Sequence, residues 1–503
     1  MRVVFRFDAS LQIGAGHVMR CLTLARVLKE NGANVEFICR KHEGNLINKI
    51  RSNGFNVFEL ELLAENKVDN KLFYSHWLDS TQQQDAKDCL SVLHSDKVNL
   101  LIVDHYGIDE NWQQYLQSYY DKLLVIDDLA DRKHQCDILL DQTFGRQQGD
   151  YKDLVPASCE LLLGSQFSLL RPEFAKWRQY SLERRSNLEC KQLLVNMGGV
   201  DADNVTELVL EKLETCHMLN NIEIIVVMGE TAPHLESVRA RANALSYKTV
   251  VKVNVRNMAE IMANADIAIG AAGSTTWERC CLGLPTIQIV VADNQIDIAR
   301  NLASINAIKL INNLNHLSEN IEDMVQFIDK ISLVSSSIVD GKGVIRLRSF
   351  IDSKESYTDL FLIRPVDLRD SDFAYSLQTK EVRKYFVNTE VPSIDQHIDW
   401  FQKIIDSPTS QLFILMLGVH KTGILRVDNI NSDKLEVSII VSPDYWGNRL
   451  ANKALNIIES LVLNKTLKAV IHNNNTASKK VFLRSGFIMN KKDGQFSEYL
   501  KFC

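Results

Sequence analysis

Three absences narrow the functional classes open to this chain. It lacks a basic excess: 57 Lys and Arg stand against 63 Asp and Glu, for a formal net charge of −6. A nucleic-acid binder would show the opposite balance, so no nucleic-acid partner is expected. It lacks a CxxC pair and any zinc-like His/Cys spacing, its ten cysteines being scattered from Cys21 to Cys503, which reads as reduced thiols in a cytoplasmic protein. It also lacks a membrane signal. The N-terminus has no apolar core between its charges at Arg2, Arg6 and Asp8, and no apolar run approaches the roughly 18 residues of a span. The longest candidate, Cys280 to Ala292, is broken by Gly283 and Pro285. A soluble protein acting on small molecules, without a membrane, is the expectation.

At 503 residues the length predicts about three domains. The chain opens with a short apolar run, Val3 to Phe7, then Ile13-Gly14-Ala15-Gly16-His17-Val18-Met19-Arg20, then apolar positions at Val18, Leu22, Ala25 and Leu28. The pattern is strand, glycine loop and helix start. Gly14 and Gly16 permit a tight turn and close approach to a ligand, and the helix start favours an anion. His17 lies at that positive end, which disfavours the imidazolium and leaves a neutral ring able to take a proton. It is a candidate general base, the alternative being a capping or packing histidine. The loop is not the GxGxxG dinucleotide fingerprint.

Apolar runs at Asn34–Cys39, Leu100–Val103, Leu123–Ile126 and Ile138–Leu140 alternate with helix-length segments. This rhythm predicts a parallel sheet with ligand groups at the carboxyl ends of its strands. Asp104-His105-Tyr106 and Asp127-Asp128 fall at such ends. Paired Asp residues can hold Mg²⁺ or cap helices; no metal is expected here.

The rhythm restarts near Gln192, with runs at Leu193–Val195, Ile222–Met228 and Val250–Val253. Two Rossmann-like halves imply a cleft between them. In the second half Ala265 to Glu278 reads as strand, small-residue turn and helix start. Gly273, Ser274 and Thr275 are placed to hold a pyrophosphate, and Glu278 to accept from ribose hydroxyls; alternatively Glu278 closes a capping box with Ser274 or Thr275. Asn294 and Gln295 face the same cleft.

The second half resembles the nucleotide-binding half of a GT-B fold, as in the peptidoglycan N-acetylglucosaminyltransferase. Arg6-x-Asp8, Ile13 to Cys21, Val103-Asp104-His105-Tyr106, Ile126-Asp127-Asp128 and Asn196-Met197-Gly198-Gly199 resemble, in order, the UDP-sugar hydrolases of pseudaminic acid biosynthesis. That likeness runs from residue 1 to about 350, closing on Val339-Asp340-Gly341-Lys342-Gly343. The family removes UDP from UDP-2,4-diacetamido-2,4,6-trideoxy-β-L-altropyranose. The resemblance implies His17 as the catalytic base and Arg6, Asp8, Gly16, Arg20, His105, Tyr106 and Gly199 as substrate-binding residues. UDP is a good leaving group, so one base activating water is sufficient chemistry.

From Lys330 to Tyr357 the apolar pattern weakens, which places the domain boundary there. Beyond it, strands are expected at Leu412–Val419, Gly423–Val427 and Leu435–Val441, and a last strand at Lys468–His472. With Trp446-Gly447-Asn448-Arg449-Leu450-Ala451, Asn475 and Gly486-Phe487, residues 357–503 resemble the GCN5-related N-acetyltransferases. The resemblance implies acetyl-CoA as cosubstrate, held by Val441, Trp446 to Ala451 and Asn475. Trp446 and Arg449 depart from the usual (Gln/Arg)-x-x-Gly-x-(Gly/Ala) turn, and Phe482 stands where many members carry tyrosine. Glu436 is a candidate base, or an ordinary strand-surface carboxylate.

The expected architecture is α/β: a GT-B-like pair of Rossmann-type domains, 1–175 and 176–350, followed by an acetyltransferase domain, 357–503. The expected function is bifunctional, acetylating the 4-amino group of a UDP-amino sugar and hydrolysing the UDP-sugar. The alternative is a GT-B glycosyltransferase with a non-catalytic sugar-binding module.

Overall fold

The computed structural model describes residues 1–62, 72–94, 97–185, 190–216, 222–352 and 359–503. The first apolar runs become β1 (Arg2–Phe7), β2 (Asn34–Arg40), β3 (Asn56–Leu60), β4 (Val98–Asp104), β5 (Tyr120–Ile126), β6 (Ile138–Asp141) and β7 (Glu160–Leu163). They form a parallel sheet in the order β3-β2-β1-β4-β5-β6-β7. Helices bury both faces, so the central strands are apolar along their length instead of alternating. The order reverses between β1 and β4. Their carboxyl ends therefore flank a crevice, the usual ligand position in such a sheet.

The second half repeats the plan with β8 (Gln192–Asn196), β9 (Glu223–Met228), β10 (Thr249–Val253), β11 (Ile267–Ala271), β12 (Thr286–Ile289) and β13 (Lys309–Ile311). The order is β10-β9-β8-β11-β12-β13, with its reversal between β8 and β11. Two helices cross between the halves. Pro172–Arg185 puts Phe174 into the second core, and Gly343–Ile351 returns Val344, Leu347 and Phe350 to the first.

The stretch read as a weakening linker is largely helical. Ile328–Ile338 buries Ile331, Val334 and Ile338. Its serines fooled the composition argument because Ser335 and Ser336 donate their hydroxyls to carbonyls one turn back, Ser332 and Leu333, and so enter the core satisfied. The end of the expected boundary stretch, residues 353–357, lies outside the described residues.

The C-terminal sheet comprises β14 (Phe361–Pro365), β15 (Ser410–Leu417), β16 (His420–Asp428), β17 (Lys434–Val441), β18 (Thr466–His472), β19 (Ile488–Asp493) and β20 (Phe496–Phe502). Its order is β14-β15-β16-β17-β18-β20-β19. Two strands thus follow the one expected to be last. β19 is an edge strand with all six residues exposed; its polar run Asn490-Lys491-Lys492-Asp493 suits an open edge and carries no strand alternation. β17 and β18 are parallel and pair only from Lys434 to Glu436 against Thr466 to Lys468. Beyond that register they part.

The C-terminal domain docks through a small set of contacts. Lys330, fully buried, donates to the carbonyls of Ile405 (2.8 Å) and Ser407 (2.6 Å), capping the helix Ile394–Asp406 from outside its own domain. Lys465 donates to Ile430 and Ser432 and pairs with Asp329 at 3.6 Å. Leu182 and Leu333 join the apolar core of the C-terminal domain.

Candidate active sites

His17 sits in the first turn of the helix Gly16–Glu30, directly after the glycine loop. Its Nδ1 lies 2.6 Å from Asp104 Oδ1, at the end of β4. With Nδ1–H donating to the carboxylate, the neutral ring carries its lone pair on Nε2, the nitrogen then available to a reacting water. Arg20, one turn on, donates Nε to Asp104 Oδ2 (2.7 Å) and Nη2 to Oδ1 (2.6 Å). Burial alone would raise the Asp104 carboxyl; Arg20, then His17, outweigh it and hold Asp104 well below the usual carboxylate range. The sequence placed His17 beside a helix end alone and missed this partner.

Arg20 Nη1 continues the network to Asp128, which also accepts from Tyr106 Oη at 2.8 Å. Tyr106 lies edge-on to His17 with ring centroids 4.8 Å apart, and Trp77 stacks on Tyr106 at 5.5 Å. Tyr74 closes this aromatic wall, 4.5 Å from Trp77. Phe73-Tyr74-Ser75-His76-Trp77 was a legible signal, an aromatic-rich pentapeptide in an otherwise polar stretch, but nothing in its spacing tied it to His17.

Arg6, Asp8 and His105, expected to bind substrate, are buried and face one another. Arg6 is fully buried between Asp8 (2.7 Å) and Asp85 (2.6 Å), and Arg40 shares Asp85. Asp8 accepts the backbone N–H of Arg40 and faces His105 Nε2 at 3.3 Å and His42 Nε2 at 3.5 Å. A buried charge is strongly stabilised by such neighbours, so these residues support the carboxyl ends of β1, β2 and β4 from behind. Asp127 is likewise taken up by Arg132 and Tyr151. Among the described residues no group of three or more His, Cys, Asp or Glu is arranged to hold a metal ion.

Gly16 faces the other half: a Cβ built on it would lie 3.6 Å from Ser274 Oγ. Ser274 precedes the helix Thr275–Cys281 and makes no side-chain cap there, so Glu278 is not engaged in a capping box. Instead, Glu278 and Arg171 approach to 3.5 Å at a hollow of about 30 Å³ that Gly16, Arg20, Arg171, Ser274 and Glu278 line. Burial raises the Glu278 carboxyl, with Arg171 opposing. Gln295 approaches Gly273, whose added Cβ would lie 3.7 Å from its Nε2, while its Oε1 accepts from Val291 N–H. Asn294 is half-buried in the same turn, and Gly199 is exposed after β8. Arg171 had no recognisable sequence signal.

In the C-terminal domain Trp446 to Ala451 links β17 to the helix Leu450–Glu459. Gly447 (φ 86°) and Arg449 (φ 58°) are both left-handed. Arg449 thus keeps the conformation that the usual glycine would adopt freely, despite its Cβ. Trp446 Nε1 donates to Val441 O at 2.8 Å, pinning the turn to the end of β17. Asn448 stands between the two left-handed residues. Asn475, expected at the coenzyme, caps the helix Thr476–Arg484 by accepting Ser478 N–H at 3.0 Å. Phe482 is buried edge-on to Phe487. Glu436 stands at the last paired position of β17, with Lys468 Nζ 2.8 Å away.

Residues 361–488 match the family described as acetyltransferase (GNAT) domain, and residues 192–337 match the glycosyltransferase family 28 C-terminal domain. An uncharacterised protein of Methanocaldococcus jannaschii is 24% identical to this chain, over 99% of each. The UDP-2,4-diacetamido-2,4,6-trideoxy-β-L-altropyranose hydrolase of Campylobacter jejuni is 28% identical, over 60% of this chain and 96% of its own. The crystal structure of MurG from Acinetobacter baumannii shares the fold over 70% of this chain and 99% of its own, with a TM-score of 0.50 at 15% identity. No helix among the described residues is long and apolar enough to cross a membrane. The chain is an α/β protein in which a GT-B-like nucleotide-sugar unit, distantly similar to that hydrolase, precedes a GNAT acetyltransferase domain.

Proposed function

We propose that the chain catalyses two consecutive steps on one nucleotide sugar: acetyl transfer from acetyl-CoA to the 4-amino group of UDP-4-amino-4,6-dideoxy-N-acetyl-β-L-altrosamine, then hydrolysis of the diacetamido product to UDP and free sugar. The observation that carries the hydrolytic step is the His17–Asp104 pair (2.6 Å), set at the strand-order reversal and facing the Ser274–Glu278 turn. His17 Nε2 takes a proton from water as the oxygen bonds to C1. The C1–O bond to the β-phosphate breaks, its electron pair leaves with UDP, and the sugar inverts at C1. Asp104 keeps Nδ1 protonated throughout and stabilises the ring when it becomes charged. Gly273, Ser274 and Thr275 hold the pyrophosphate, Glu278 the ribose, and the Tyr74–Trp77–Tyr106 wall the apolar flank of a 6-deoxy, acetamido-bearing sugar.

The acetyl step is supported by the split between β17 and β18 and by the left-handed turn at Gly447–Arg449, which leads directly into a helix start, a setting for the coenzyme pyrophosphate. The amine attacks the thioester carbonyl, CoA leaves as thiolate, and the amine proton passes toward Glu436, which the incoming ammonium contests with Lys468. Asn475 spent as a cap and Phe482 buried favour a second reading for this domain alone, binding without transfer. His17→Ala with UDP-4-amino-4,6-dideoxy-N-acetyl-β-L-altrosamine and acetyl-CoA, followed by mass spectrometry, tests both. Loss of UDP release with acetylated nucleotide sugar accumulating is the expected outcome. Continued UDP release removes His17 as base; no acetylated product in either chain leaves the binding module.

A further inference from the structure

We infer that the acetylated UDP-sugar leaves the acetyltransferase domain into solvent before it is hydrolysed, so that the two sites act in sequence without handing the intermediate across. The inference rests on the pair of reactions proposed above and concerns how the protein connects them.

The polar docking contacts gather at one end of the C-terminal sheet, while the helix Ile328–Ile338 packs along β14. Lys330 reaches Ile405 and Ser407 just before β15, and Asn306 also donates to Ile405 O. Lys465, just before β18, reaches Asp329. The split opens toward the opposite end: pairing stops at Glu436 and Lys468, while β17 runs on to Val441 and β18 to His472. Four or five further residues at a strand's rise separate these ends by about 15 Å. The helix Leu450–Glu459 confirms the polarity. Its first turn carries the coenzyme loop, whereas Leu461 and Val462, just past its last turn, pack with Leu182 and Leu333 at the joint.

On the hydrolytic side, Asn294 and Gln295 face the cleft at the start of the helix Ile296–Ser304, and Asn306, past its far end, touches the acetyltransferase domain. Nine helical residues span about 14 Å. A helix, the joint and most of a strand therefore lie between the two reacting positions. A cavity of about 980 Å³ does open between the domains, but most of its cations are already engaged: Arg146 by Asp141, Arg346 by Asp340, Arg364 and Lys421 by Asp370, Arg369 by Asp367, and Arg178 by the carbonyls of Cys281, Ser336 and Val339, leaving Lys342. Beyond Lys342, a diphosphate in transit would have to break those contacts. Acetylation also favours departure, since it converts an ammonium that the Glu436 carboxylate attracts into a neutral amide.

The test supplies the full chain with the UDP-amino sugar, deuterated acetyl-CoA and a large excess of unlabelled UDP-2,4-diacetamido-2,4,6-trideoxy-β-L-altropyranose, and reads the label in early free sugar. Release predicts that the label falls to that of the diluted pool and that it rises only after a lag. Free sugar carrying undiluted label from the start overturns the inference while upholding both reactions. If neither labelled nucleotide sugar nor labelled free sugar forms, the paired-reaction reading itself fails.

Discussion

Replacing Asp104 by Asn tests the site at its most constrained point. The two carboxylate oxygens accept four contacts: Oδ1 from His17 Nδ1 and Arg20 Nη2, both at 2.6 Å, and Oδ2 from Arg20 Nε at 2.7 Å and Cys21 Sγ at 3.3 Å. An asparagine presents one oxygen and one NH₂ group of nearly the same shape. Turned toward His17, the NH₂ forces Nδ1 to accept and moves the ring proton to Nε2, where no base remains. Turned toward Arg20, it meets N–H with N–H and leaves the guanidinium without its charge partner. Either way the ring loses the negative charge that supports it once protonated. A positioned general base contributes about 10²–10⁴ in rate, and the same Asp-to-Asn change in a serine-protease triad lies at the upper end, about 10⁴. We expect UDP release to fall by about 10³, close to 4 kcal/mol of barrier. The assay is steady-state UDP release from the diacetamido UDP-sugar, with acetyl transfer by the same chain as an internal control for folding. An Asp104→Asn chain within about tenfold of the parent, when His17→Ala is inactive, would refute the reasoning.

Burial pushes the Lys330 ammonium down to about 8, with Asp406 opposing. Between that value and the ordinary lysine range near 10.4 the unfolded chain binds a proton that the folded chain does not, so the contribution of Lys330 to stability grows with rising pH, by up to about 1.4 kcal/mol per unit; the neutral amine still has two N–H bonds for the carbonyls of Ile405 and Ser407. Urea denaturation of the parent and Lys330→Met at neutral and alkaline pH should show the gap widening as pH rises, and a constant gap contradicts the argument. Arg449→Gly relieves a left-handed residue of about 1 kcal/mol of strain and should raise the denaturation midpoint of the C-terminal transition while leaving calorimetric acetyl-CoA binding in place; a lower midpoint would mean that the Arg449 side chain makes a stabilising contact of its own.

Much of the fold could be read from the chain because parallel-sheet strands, buried on both faces, announce themselves as uninterrupted apolar runs, and because polar residues stand at or just past their carboxyl ends, Asp8 after β1, Asp104 on β4, Asn196 on β8 and Ser274 after β11. The glycine loop, His17 and the Ser274–Glu278 turn were legible for the same reason: each follows such a run directly. Contacts between distant segments were not. Asp104 and His17 are 87 positions apart, and Arg171 meets Glu278 from 107 positions away. Residue type also misled where a polar side chain had an internal partner, as with the serines of the helix Ile328–Ile338. In the acetyltransferase domain, β19 escaped notice because a solvated edge has no apolar face to reveal it.

The return of the helix Gly343–Ile351 to the first core bears on how the protein is made. Val344, Leu347 and Phe350 pack among residues of β1, β2 and β4, although the last strand of that sheet ends at Leu163. A nascent chain therefore carries the first sheet with part of its apolar interior uncovered until nearly the whole second half has emerged. At ordinary synthesis rates of about 5–20 residues per second that interval is roughly 10–40 s. During it the half bearing His17 is the exposed one, with apolar surface open to solvent until the last helix returns.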